Sequence, residues 1–445
     1  MDFTSFNLHP KIAAGVTAAG YDTPTPIQKQ AIPKVMAGSD VMGLAQTGTG
    51  KTAAFALPIL HRLVSSGNRG HVRALIVAPT RELAEQIHES FVSLGEKTGL
   101  HSTTVYGGVS INPQIQKLKK GSEIVVACPG RLLDHIQQKT IDLSHLEVLV
   151  LDEADQMFDM GFLPAIRKLL THLPKERQTL LFSATMPIEI RRLASEVLKN
   201  PQTVQVDTVA PAATVSHALY PVEPHLKTAL IIELLKHTDT ESVLIFTRTK
   251  HRAKRLDEQL AKLGYKVASL QGNLSQNRRQ AALDGFRDGT VQILVATDIA
   301  ARGIDVSKIS HVINYDIPAT TDAYIHRIGR TGRAARSGDA FTLVAREDMI
   351  MVRSIERVLG NPIERRLVEG FDYNVAAPKK DIEFARPPRP PQQRRKPADG
   401  AKGAAPQKSA PKTPQAAKPQ VPHEKVAATG NQPPKHRNNR SQRGH

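Results

Sequence analysis

The sequence predicts an α/β protein of two tandem domains, each a parallel sheet flanked by helices, with a disordered basic C-terminal tail. Three observations carry that prediction: short runs rich in Val, Ile and Leu that recur between longer mixed segments, a single break in that series near residue 210, and a change of composition after residue 370. Apolar runs buried on both faces mark parallel strands with helices packed on either side. With 445 residues the chain has room for two domains of ordinary size and an extension.

In the first half, the runs at 41–44, 74–78, 124–127, 148–151 and 180–182 read as strands separated by helix-length segments. The second half repeats the pattern at 243–247, 293–296, 311–315 and 341–344. Between them, Asp207-Thr-Val-Ala-Pro-Ala-Ala-Thr214 is small-residue and Pro-containing. The expected boundaries are therefore 1–208 for the first domain, 209–214 for the linker, 215–370 for the second domain and 371–445 for the tail. From Phe371 onward there are 16 Lys and Arg against 5 Asp and Glu, a net of +11 out of the chain's +18. That segment is rich in Pro, Ala and Gln and has hardly any large apolar residue beyond Phe384, so it cannot bury enough surface to offset its chain entropy. Disorder is expected from about Pro378.

Composition excludes other classes. The single cysteine, Cys128, closes no intramolecular disulfide, which fits a reducing compartment and rules out a disulfide scaffold. Residues 1–10 lack a basic region followed by an apolar one, and no run approaches membrane-spanning length. The expectation is a soluble cytoplasmic protein with no membrane partner.

Two stretches supply the halves of an ATP·Mg²⁺ site. In Ala45-Gln46-Thr47-Gly48-Thr49-Gly50-Lys51-Thr52 the glycines let backbone N–H groups turn inward around phosphates, Lys51 reaches the terminal phosphates and the Thr52 hydroxyl holds Mg²⁺. Asp152-Glu153-Ala154-Asp155 follows the run at 148–151, and Asp152 completes the metal site, through water. Either stretch alone is a glycine-rich turn or an acidic helix start; together they point to ATP hydrolysis. Ala45 stands where the G-x-x-x-x-G-K-[ST] pattern has its first glycine, and alanine is the smallest substitute. The second half has no such loop but contains Tyr324-Ile-His-Arg-Ile-Gly-Arg330-Thr-Gly-Arg333. By itself that is as readily a basic surface loop; beside a P-loop domain without its own arginine finger it reads as trans-domain arginines, with ATP between the domains.

On these residues the chain resembles the DEAD-box ATP-dependent RNA helicases of superfamily 2, over nearly all of residues 1–370. Phe3 with Gly20-Tyr-Asp-Thr-Pro-Thr25-Pro-Ile-Gln28 is similar to the family's Q motif, followed in order by Ala45–Thr52, Pro79-Thr-Arg81-Glu-Leu83, Gly107-Gly108, Pro129-Gly-Arg131, Asp152–Asp155 and Ser183-Ala-Thr185. In the second half Leu244-Ile-Phe-Thr-Arg248, Gln276 with Arg279, Ala296-Thr-Asp298 through Arg302-Gly-Ile-Asp305, and His326–Arg333 match the remaining motifs. Within the family, Gly107-Gly-Val-Ser-Ile-Asn-Pro-Gln114 and Thr247-Arg-Thr-Lys-His251 look most like the bacterial RhlE group.

The resemblance implies two RecA-like domains and an RNA-dependent ATPase that unwinds short RNA duplexes, with ribosome assembly or RNA decay as the expected setting. It implies that Gln28 reads adenine through its amide, that Phe3 and Tyr21 flank the base, and that Asp305 meets the ribose or caps a helix. Lys51, Asp152, Glu153, Arg330 and Arg333 become the catalytic set, with Glu153 orienting the attacking water. Ser183 and Thr185 couple hydrolysis to unwinding, or cap the helix after Pro187. The implied RNA contacts are Pro79, Arg81, Gly107, Gly108, Gly130, Arg131, Arg248, Gln271, Gly272, Gln276, Arg279 and Thr297. Backbone contacts carry no sequence information, and a chain with no Trp and 4% aromatics has no extended stacking platform. The expected partners are single- and double-stranded RNA bound without regard to sequence, RNA being told from DNA by 2′-hydroxyls and backbone shape. Cys128 replaces the threonine usual before Pro-Gly-Arg, exchanging a hydroxyl for a weak S–H donor.

Overall fold

A computed structural model of the chain describes residues 2–46, 48–67, 69–206, 215–238, 241–301, 309–331 and 338–377. Within these, the first sheet contains β1 (Val41–Leu44), β2 (Ala74–Val77), β3 (Ser102–Val105), β4 (Ile124–Ala127), β5 (Val148–Leu151), β6 (Gln178–Ser183) and β7 (Gln202–Gln205). The second contains β8 (Val215–Pro221), β9 (Val243–Thr247), β10 (Val267–Leu270), β11 (Ile293–Thr297), β12 (His311–Asn314), β13 (Gly338–Val344) and β14 (Glu364–Arg365). All pairings are parallel.

The strand orders, β3-β4-β2-β5-β6-β1-β7 and β10-β11-β9-β12-β13-β8-β14, are one topology used twice. This is the tandem RecA-like arrangement expected from the sequence. Side chains alternate across each sheet: Ala74 and Ile76 enter one core with Phe55, Phe91 and Phe182, whereas Leu75 and Val77 enter the other with Leu149 and Leu151. Burial on both faces explains the continuous apolar strands.

The repeat reaches the first helix of each domain. β1 leads through the glycine-rich loop to the helix Lys51–Ser65, and β8 leads to the helix Lys227–Lys236, which also begins Lys-Thr. Lys227 is buried there, its Nζ donating to the carbonyls of Tyr315 and Leu343 at 3.2 Å each, with Asp348 at 3.7 Å. The ammonium that would meet phosphate in the first domain thus caps strand ends in the second.

The chain stays packed on the second domain past residue 370. Phe371 and Tyr373 meet edge to face at 4.8 Å, Val368 N donates to Tyr373 Oη at 2.9 Å, and His225 Nε2 donates to Val375 O at 2.7 Å. These two aromatic residues, set in polar sequence, hold the segment down beyond the boundary expected from composition.

Candidate nucleotide and nucleic-acid site

In the first sheet β1, β6 and β5 are consecutive neighbours, so the loops that leave their carboxyl ends lie side by side. They carry 45–52, 183–185 and 152–155. The left-handed backbone of the first loop falls on Gly48 (φ 83°) and Gly50 (φ 90°); Ala45 is buried with its N–H on Ser183 O at 3.0 Å and needs no positive φ. Alanine is therefore accommodated at the position where the pattern has glycine. Lys51 Nζ donates to Ala45 O at 2.9 Å, and Thr49 Oγ1 donates to Gln46 O at 2.7 Å. Thr47 lies outside the described residues.

Gln28 is buried against this loop. Its amide oxygen accepts from Thr25 N at 2.9 Å and its NH₂ donates to Gly50 O at 3.1 Å, so a Cβ on residue 50 would strike it. Each end of the amide keeps a further hydrogen-bonding position. Phe3 is buried and holds the half-exposed Tyr21 edge to face at 5.9 Å.

Asp152 and Glu153 are both buried at the end of β5, and Asp152 Oδ1 accepts from Glu153 N at 3.0 Å. Glu153 is non-glycine in the left-handed region (φ 52°, ψ 53°), a conformation that persists where surrounding structure enforces it and that clusters at functional sites. Burial pushes the Asp152 carboxyl up to about 7, Lys51 opposing and Glu153 adding to the rise. A cation beside it would reverse that shift. Among the described residues no group of three or more His, Cys, Asp or Glu could hold a metal by itself. A single carboxylate with the Thr52 hydroxyl suits Mg²⁺, which completes its shell with phosphate oxygens and water.

Asp155 is the hub of this edge. Its Oδ2 accepts from Ala184 N (3.1 Å), Thr185 N (2.8 Å) and Thr185 Oγ1 (3.0 Å), and its own N–H donates to Ser183 Oγ at 3.2 Å. Ser183 Oγ in turn donates to Thr185 O at 2.7 Å. The helix Ile188–Val197 has Pro187 at its N-cap, so neither hydroxyl caps it; the capping alternative is corrected, because both are engaged with Asp155.

A cavity of about 410 Å³ between the two domains is lined by Asp155 and Thr185 on one side and by Asp298, His326, Arg327 and Arg330 on the other. Arg327 is clamped by Asp298 (2.5 and 2.7 Å) and by Asn314 Oδ1 (3.0 Å). Burial holds the His326 imidazole below its ordinary value, Asp155 pulling the other way. Arg330 is buried at the end of the helix Thr321–Ile328. Arg333 and Asp305 lie outside the described residues.

A second cavity, about 340 Å³, collects Pro79, Arg81, Gly107, Gly130 and Arg131 from the first domain and Gly272 and Arg279 from the second. Arg81 Nη1 donates to Gln276 Oε1 at 3.1 Å, and Arg279 Nε donates to Glu82 Oε1 at 2.7 Å, both across the domain boundary. Gly108 (φ 77°) passes directly beneath the Arg81 guanidinium. Arg131 donates twice to Val109 O at 3.1 Å. Cys128 lines the same cavity. Gln271 is buried with its Oε1 on Asn273 N at 2.8 Å, while Arg248 and Thr297, at the ends of β9 and β11, are not among the lining residues. Sequence reasoning assigned no role to Glu82, Asp298 or Arg327. The signal for Glu82 was available, since it stands between two residues of the Pro79–Leu83 motif.

Residues 25–193 match the model of the DEAD/DEAH box helicase family, and residues 226–335 match the helicase conserved C-terminal domain. The ATP-dependent RNA helicase CshA of Listeria monocytogenes is 44% identical over 356 residues, covering 80% of this chain and 68% of that one. The chain belongs to the DEAD-box family of ATP-dependent RNA helicases. The ATP-dependent RNA helicase DeaD of Buchnera aphidicola is 43% identical over 374 residues, which cover 84% of this chain but only 62% of that relative. Among solved structures, S. cerevisiae Dbp5 bound to RNA and ADP BeF3 is similar with a TM-score of 0.74 and 31% identity, over 82% of this chain and 95% of that one. As in other DEAD-box proteins, two parallel-sheet domains carry the motifs. No helix among the described residues is long and apolar enough to cross a membrane.

Proposed function

We propose that this DEAD-box protein separates short RNA duplexes locally, using one ATP site and one RNA groove that are both built across the boundary between domains 1–208 and 215–370. The observation that supports this best is the groove itself: phosphate-binding arginines and glycines from both halves line one cavity. A groove split between domains binds its ligand only when the domains close, so ATP and RNA reinforce each other's binding.

In this mechanism Lys51 exchanges the Ala45 carbonyl for the terminal phosphates of ATP, and Gln28 and Tyr21 hold the adenine, with Phe3 behind them. Mg²⁺, held by Thr52 and, through water, by Asp152, neutralises phosphate charge. Glu153, fixed by its left-handed backbone, orients and polarises the attacking water. Arg330, with Arg333, stabilises the charge that develops as the γ-phosphoryl leaves. Asp155 ties that chemistry to the Ser183–Thr185 turn and, across the cavity, to the second domain. Arg81, Gly108, Arg131, Gln271, Gly272 and Thr297 grip one strand by its backbone, and reopening after hydrolysis releases it.

The deciding experiment is steady-state ATPase activity with and without single-stranded RNA, for the wild type and Glu153→Gln. RNA-stimulated turnover should fall about a hundredfold or more in the variant. A wild type indifferent to RNA would overturn the scheme. An ATP-gated clamp or annealing chaperone uses the same residues and is separated by a duplex-release assay; a DNA-directed enzyme is separated by comparing RNA with DNA as stimulant.

The setting in ribosome assembly or RNA decay and the grouping with RhlE rest on the family pattern and on short strings around Gly107 and Thr247. The basic segment from 378 is proposed as an electrostatic tether for structured RNA. Removing it should flatten the salt dependence of RNA binding, and equal slopes would leave it a solubilising tail.

A further inference from the structure

The groove that gathers Arg81, Arg131 and Arg279 is not lined by polar groups alone. Met160, Phe162, Leu274 and Ile299 share it. Met160 and Phe162 flank the turn between the helices Ala154–Asp159 and Leu163–Leu170 of the first domain; Leu274 follows β10 and Ile299 follows β11 in the second. Ile299 is 65% exposed, and none of the four side chains can hydrogen-bond to a phosphate or a sugar hydroxyl. A groove for a phosphate backbone has no use for four such groups. The face of a base does.

We propose that these four side chains form an aliphatic wedge that receives the face of one unstacked RNA base, at the bend where a strand leaves its duplex. The proposal deepens the RNA-groove assignment above and rests on it. The occupant follows from the company the wedge keeps: three arginines beside it hold the flanking phosphates, so what reaches the apolar wall is the base attached to them. A base inside a duplex has both faces covered by its neighbours, so only an unstacked one can present a face. Apolar side chains inserted at a base step are a general means of kinking nucleic acid. Every base has such a face, so the contact is sequence-tolerant, and aliphatic groups supply it in a chain with no Trp. Because the two pairs of side chains come from different domains, the wall is whole only in the closed cleft. Bending would then follow closure.

The test uses the full-length protein with a non-hydrolysable ATP analogue and a ten-nucleotide RNA carrying a single abasic site walked along its length. Wild-type affinity should drop about threefold to tenfold at one position and little elsewhere. Ile299→Ala, at an exposed position that does not support the core, should lose a similar factor on intact RNA and show no dip at that position. Ile299→Leu should restore the dip, and Phe162→Ala should weaken it. Duplexes released per ATP hydrolysed should fall with the dip. Uniform affinity along the abasic series, or a dip that survives in Ile299→Ala, overturns the wedge while leaving the RNA groove standing. RNA binding indifferent to the analogue overturns the closure on which both depend.

Discussion

Asp155→Asn is the substitution whose effect the geometry defines most closely. The buried carboxylate accepts from Ala184 N, Thr185 N and Thr185 Oγ1 on one oxygen and from Gln156 N at 3.0 Å on the other. An amide accepts on one side only. With its oxygen toward the Ala184–Thr185 turn, the new NH₂ opposes Gln156 N; the reverse orientation opposes two backbone donors and is worse. In the better case three bonds fall from charge-assisted strength, about 1.5–3 kcal/mol each, to neutral strength of about 0.5–1.5 kcal/mol, and one is lost. Two effects offset this: the three bonds share one oxygen and do not add fully, and removing the charge eases the crowding of carboxylates around Asp152. The net expected loss of stability is about 2–3 kcal/mol. With no Trp for fluorescence, urea unfolding followed by far-UV circular dichroism is the assay. Duplexes released per ATP should fall as well, because the Ser183–Thr185 turn loses its anchor. A midpoint shift worth less than about 0.5 kcal/mol, or release that falls only in proportion to ATPase activity, would refute the assignment of Asp155 as the hub.

Two further outcomes follow from the groove. Gly108→Ala puts a left-handed backbone under strain of about 1–2 kcal/mol and pushes the Arg81 guanidinium off its contact with Gln276, so RNA affinity should fall about fivefold to thirtyfold with ATP affinity preserved, as read by titration of each ligand. Burial pushes the Cys128 thiol up to about 12 from an ordinary 9.0, so at pH 8 alkylation in the folded protein should run orders of magnitude slower than in urea, and the neutral thiol's contribution to stability should fade as pH rises above about 9. Cys128→Thr should tighten RNA binding modestly by supplying a hydroxyl; unchanged or weaker affinity would count against a phosphate at that point.

Legibility in the sequence tracked burial and locality. The runs at 41–44, 124–127, 148–151 and 243–247 coincide with β1, β4, β5 and β9 because burial left them little but Val, Ile and Leu. β3, β7, β10 and β14 were missed because they sit at sheet edges, where polar residues are tolerated, as in Ser102-Thr-Thr-Val105. β8 lies inside its sheet but mixes exposed and buried positions, so no continuous run announces it. The phosphate loop was readable because its chemistry is written in consecutive residues. Glu82 and Arg279 stand 197 residues apart, and Asp155 and Thr185 stand 30 apart; their pairing exists only once both sheets are folded.

The duplicated strand order has a consequence for how many nucleotides the chain handles. Two identical units placed head to tail would each own a phosphate loop and each lend an arginine to the next, and such an arrangement extends into rings or filaments. Here the second unit keeps the strand order and the Lys-Thr at the head of its first helix, but Lys227 is spent on the carbonyls of Tyr315 and Leu343. The second half can complete its neighbour's site and has none of its own for a third unit to complete. Propagation stops after one step. What a multisubunit motor achieves with several sites acting in turn is reduced to a single stroke per ATP, which suits an enzyme that opens a short helix once and lets go rather than one that travels along it.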